Sequence, residues 1–80
     1  MQFSRPEKHS LSLRGHRTSV SLEPEFWADF RSAAEADGLP LNELASRIDA
    51  ARGADSGLAS AIRLVVLHWH RTGQTGFGDA

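Results

Sequence analysis

The sequence predicts a mostly α chain in which one N-terminal strand, pairing across a homodimer, is followed by three helices. Three observations carry that expectation. Apolar residues alternate with polar ones up to Leu22 and then recur at helical spacing in three later segments, punctuated by Pro24, Gly38 and Gly53. The chain has 80 residues, and a domain of about that size buries only about 60% of the surface its unfolded form exposes. It has no cysteine, so neither disulfides nor thiolate metal sites supply the missing stability, and a second copy of the chain is the remaining source.

Residues 1–10 are polar, interrupted by Pro6 and without periodicity, and are expected to be flexible. From Leu11 the pattern shortens to a period of two. Thr18, Val20 and Leu22 then share one face and Arg17, Ser19 and Ser21 the other, which reads as a strand from Arg14 or Arg17 to Leu22. Glu23-Pro24 ends it, because proline fixes its own φ and suits the first turn of a helix. Domain limits follow: a basic arm over 1–13, a folded domain over 14–71 and a disordered tail over 72–80.

The first helix is expected from Pro24 to Asp37, with Phe26, Phe30 and Ala33 at helical spacing, Trp27 and Ala34 widening the apolar face, and Gly38 as terminator. Trp27 and Trp69 are placed at the margins of the core, where an indole N–H can reach a partner. The second helix runs from Pro40 to Ala51 with Leu41, Leu44 and Ile48 on one stripe. The third begins at a cap on Asp55 or Ser56 and runs to Arg71, its stripe Leu58, Ile62, Val65 and Trp69 broadened by Ala59, Ala61, Leu64, Val66 and Leu67. A helix apolar on nearly all sides asks for burial on nearly all sides, which again points to a second copy. A lone strand asks for one too, since its backbone donors and acceptors need a ladder partner and no other segment shows a strand pattern. The expected dimer core is therefore Thr18, Val20, Leu22, Phe26, Phe30, Leu44, Ile48, Ile62, Val65 and Trp69. No internal repeat is evident.

Charge divides the chain. Up to Leu22, Arg5, Lys8, Arg14 and Arg17 face one acid, Glu7, while the remainder carries five arginines against nine acids, so a basic arm joins an acidic body within a net charge of −1. The longest apolar run, Leu64 to Leu67, is far below the roughly 20 residues of a membrane span. With no apolar signal core near Met1, a cytoplasmic location is expected. Catalysis is not expected: no cysteine nucleophile, glycine-rich phosphate loop or carboxylate pair beside a histidine is present. Nor are a metal or cofactor, since His68 and His70 project about 200° apart on a helix that turns about 100° per residue.

The segment RTSVSLEPEFWADFRSAAEADGLPLNELASRI, Arg17 to Ile48, resembles a ribbon-helix-helix domain. With GHRTSVSLEPEFW, NELASRIDAAR and LASAIRLVVLHWHR, it is similar to a bacterial subfamily of small stand-alone members with an additional C-terminal helix, over Gly15 to Arg71. The resemblance implies an obligate homodimer that lays an intermolecular ribbon in the major groove of DNA. It places the base-contacting positions on Arg17, Ser19 and Ser21 and a phosphate clamp at the start of the second helix, on Leu41, Asn42 and Glu43. By their charge, Arg5, Lys8 and Arg14 are expected to add phosphate contacts. Two departures mark the clamp: Pro40 stands where a serine or threonine cap is common, and Glu43 adds a negative charge. The expected function is a homodimeric, sequence-specific DNA-binding transcriptional regulator; the alternative is a non-enzymatic dimeric adaptor that binds another protein.

Overall fold

A computed structural model describes residues 1–79. Its elements run β1 (Glu7–Leu13), β2 (His16–Leu22), α1 (Pro24–Ala36), α2 (Leu41–Ala51) and α3 (Leu58–Thr72). The main correction to the sequence reading is β1. Residues 7–13, assigned to the arm, form a strand that pairs antiparallel with β2 from Glu7 opposite Leu22 to Leu13 opposite His16. One edge of β2 thus has its ladder partner within the chain. The fold is a two-stranded hairpin followed by three helices.

Arg14 and Gly15 make the hairpin turn, and Gly15 adopts a φ of 92°, a region that glycine enters without the Cβ penalty. Gly38, at a φ of 68°, closes α1 as expected. Its N–H donates to the Glu35 carbonyl at 3.0 Å, and that of Leu39 reaches back to Ala34 at 2.9 Å, satisfying carbonyls that a helix end leaves free. α3 starts later than the sequence suggests: Gly57 occupies the cap position and no side chain caps it, so neither Asp55 nor Ser56 serves that role.

One core forms between the hairpin and the helices. Leu11, Leu13, Val20 and Leu22 point inward from the two strands onto Trp27, Phe30 and Ala34 of α1, Leu44, Ala45 and Ile48 of α2, and Ile62, Val65 and Val66 of α3. Of the residues expected in a dimer core, Val20, Leu22, Phe30, Leu44, Ile48, Ile62 and Val65 are buried by their own chain, Phe26 packs at the edge, and Thr18 and Trp69 are half-buried. Trp27 is not marginal: it is 1% exposed, with its indole N–H donating to the Glu7 carbonyl at 2.9 Å. Within a single chain α3 is not covered on all sides, since Leu64 is 62% and Leu67 43% exposed.

The C-terminal segment packs against the body. Thr75 is buried and its hydroxyl bonds to the Asp37 carboxylate, Phe77 packs against the core, and Arg47 holds the Phe77 carbonyl at 2.9 Å and Asp79 at 2.8 Å. Ala80, the end of the expected disordered tail, lies outside the described residues.

Candidate nucleic-acid interface

The strand register decides which side chains share the outer face of the hairpin. Residues directly opposite one another point the same way. Lys8 faces Ser21, Ser10 faces Ser19 and Ser12 faces Arg17, while the intervening pairs place Leu11, Leu13, Val20 and Leu22 toward the core. Alternation on β2 therefore places Arg17, Ser19 and Ser21 on the outer side, as the sequence indicates. β1 adds three residues that the sequence reading did not put there, Lys8, Ser10 and Ser12. Five of these six are exposed and Ser21 is half-buried.

The helices hold this face from behind. The Ser12 backbone N–H donates to the Asn42 side-chain oxygen at 3.1 Å, fixing the start of α2 against β1. On the other strand, Arg63 donates to the Ser21 carbonyl at 3.4 Å and pairs with Glu23 at 2.8 Å, its guanidinium 5.7 Å from the Phe26 ring centre. His9 points inward and meets Trp27 edge-to-face, with ring centres 4.6 Å apart. Each contact fixes the ribbon without using its outer side chains.

The start of α2 is engaged by the protein itself. Asn42 is bonded to Ser12, and Glu43 receives Arg14 at 2.6 Å and Arg47 at 3.4 Å. Arg14, expected among the phosphate contacts, thus has its charge paired, and Pro40 at the cap position makes no side-chain bond. The Arg14 guanidinium, followed by Arg47, holds the Glu43 carboxyl below its usual 4.5. A bond from its own backbone N–H and then the Arg63 guanidinium lower Glu23, and Arg47 lowers Asp79.

A carboxyl whose pKa is depressed in the folded state stabilises the fold above its unfolded value and loses that contribution as pH falls through the folded one. Stability should therefore decline below about pH 4.5, the usual value for Glu43 and Glu23. Glu43→Gln should flatten this acid limb in urea titrations between pH 5 and 3, by a small amount because the pair is solvated. A limb as steep as wild type would mean that the ion pair does not couple to folding.

What the geometry defines is a polar, two-stranded ribbon on a helical support. Among the described residues no group of three or more histidine, cysteine or acidic side chains is placed to hold a metal ion, and no helix is long and apolar enough to cross a membrane. Residues 6–70 match the ribbon-helix-helix domain family, and the chain belongs to it. Neither the curated proteins nor the solved structures contain a match. The family is one generally associated with DNA binding, and its domains are typically non-catalytic scaffolds.

Proposed function

We propose that the protein is a sequence-specific, double-stranded DNA-binding protein of the cytoplasm that acts as a transcriptional regulator by laying the outer face of its hairpin in the major groove. The observation that carries this reading is the outward stripe Lys8, Ser10, Ser12, Arg17, Ser19 and Ser21 on a ribbon whose backbone is fixed from behind. A two-stranded ribbon fits the major groove, an arginine can donate twice to guanine O6 and N7, and serine hydroxyls can donate to or accept from base edges. Arg5 and the backbone N–H groups of Leu41 and Asn42 are the candidate phosphate contacts beside it, whereas the Glu43 N–H already donates to the Pro40 carbonyl at 3.0 Å. A homodimer belongs to this reading, with outward Leu64 and Leu67 on α3 as the surface available to join two copies.

Selection from a random duplex pool with purified protein at physiological salt tests the proposal, and a recurrent short motif is the expected result. Arg17→Ala should then weaken binding to the selected duplex by roughly 5- to 150-fold, the worth of one bidentate base contact, and binding to random duplex much less. Equal losses on both would recast Arg17 as a phosphate contact.

The adaptor reading draws on the Asn42 and Glu43 contacts, which occupy the start of α2, and on the acidic body. It gains if no duplex is selected and binding is insensitive to salt, while a stoichiometric protein partner is captured in a manner that Arg17→Ala disrupts.

A further inference from the structure

Residues 73–79, Gly-Gln-Thr-Gly-Phe-Gly-Asp, follow a defined path back over the helices. The Thr75 hydroxyl donates to the Asp37 carboxylate just beyond α1 and accepts the Phe77 N–H at 3.0 Å. Gly76 turns the chain at a φ of 85°, and Gly78 lies so near Asp37 that a Cβ there would come within 2.9 Å of its carboxyl carbon. Arg47 on α2 then donates to the Phe77 carbonyl at 2.9 Å and to the two Asp79 carboxylate oxygens at 2.8 and 3.4 Å. Between these anchors the Phe77 ring packs at a groove that α2 and α3 line with Ile48, Ala51, Ala61 and Val65.

Two features distinguish this packing from that of the core. Phe77 is only half-buried, and a cleft of about 220 Å³ stays open beside it in the same groove. The polar anchor also faces water, with the Asp79 side chain 78% and the Arg47 side chain 26% exposed, and an ion pair so open to solvent is weak. An aromatic side chain in a partly filled groove, held by backbone and charge contacts at its flanks, is the arrangement of a bound peptide.

We infer that the α2–α3 groove is a docking site for a short segment of another protein that carries an aromatic residue with an acidic one two positions later, and that residues 75–79 occupy it in cis as a displaceable plug. The aromatic ring enters the groove and the carboxylate meets Arg47. Because Arg47 holds both the carbonyl of the aromatic residue and the acid beyond it, it also sets the direction in which the segment lies. The open cleft gives a partner room for a larger apolar side chain than Phe77, and so a means of displacing the plug. Tethering raises the local concentration of the plug to about 1 mM, so if the free segment binds at about 0.1 mM the plug weakens any competitor about 10-fold. The inference goes beyond the proposed DNA binding and does not rest on it.

The probe is a fluorescent peptide with the sequence of residues 73–79, titrated with the full chain and read by anisotropy, while circular dichroism checks folding. Two variants empty the groove in different ways. Phe77→Ala combined with Asp79→Ala removes both anchors of the plug, and Gly76→Val places a β-branched side chain at a positive φ. Each should bind the peptide about 10-fold more tightly than wild type does, and adding Arg47→Ala should remove the gain. Wild type supplies a measurement that needs no variant: the Phe77 N–H should exchange with solvent by local opening, much faster than the amides of Ile48 and Ile62. Exchange as slow as theirs would make residues 75–79 part of the core and overturn the inference. So would emptied chains that fold yet bind the peptide no better than wild type, or that bind it equally well with Arg47→Ala. A larger assembly of Gly76→Val than of wild type in sedimentation would assign the groove to the segment of a second copy, and would likewise overturn it.

Discussion

Leu22→Asp is expected to leave the chain largely unfolded at neutral pH. Leu22 is completely buried in the cluster that joins the hairpin to the helices. A carboxylate there loses its water, and an uncompensated buried charge costs several kcal/mol even after the structure relaxes. The residue opposite it on β1 is Glu7, which offers repulsion in place of a counter-charge, and the nearby Arg63 is already paired with Glu23. A domain of about 80 residues has a total stability of about 4–12 kcal/mol, so a loss of this size takes most or all of it. Far-UV circular dichroism and a thermal scan measure the outcome; a cooperative transition near that of wild type would show that Leu22 is not part of the core. Ser19→Asp is the control. It places the same charge on the exposed face three positions earlier and should leave the fold intact while weakening binding to DNA of any sequence.

The contrast between these positions was legible from β2 alone, where strict alternation separates the buried Val20 and Leu22 from the outward Arg17 and Ser19. So were the entry into α1 at Pro24, its end at Gly38, and the stripe of Leu44 and Ile48 on α2. β1 was not. Its apolar side is short, with Leu11 and Leu13 preceded by His9 and Glu7, and Arg14-Gly15 lacks the Asn-Gly or Asp-Gly signature of a two-residue hairpin. Without that strand, the unpaired backbone groups of β2 point to a second molecule. On the candidate interface, one strand's side chains followed from alternation, but Lys8, Ser10 and Ser12 depend on the register. Trp27 was misplaced because the carbonyl that receives its indole belongs to the strand that was missed.

That indole makes Trp27→Ala the second substitution with a large expected effect. The side chain fills the space beneath the hairpin, with the His9 ring centre at 4.6 Å, the Phe30 ring centre at 6.3 Å and the Arg31 guanidinium 5.8 Å from its own ring centre. Removing a buried aromatic of this size costs about 3–5 kcal/mol through lost transfer energy and the cavity left behind. Trp27→Phe separates packing from tethering, since it keeps much of the apolar volume but cannot donate to the Glu7 carbonyl. Its expected cost is about 1–3 kcal/mol, the range for an unsatisfied polar group together with some loss of packing. Urea denaturation followed by far-UV circular dichroism gives both values. Hydrogen exchange locates the damage, with faster exchange expected at the start of β1 in Trp27→Phe while α2 stays protected. A Trp27→Ala protein within about 1 kcal/mol of wild type would contradict the central position of this residue, because such a small loss is typical of substitutions away from a packed core.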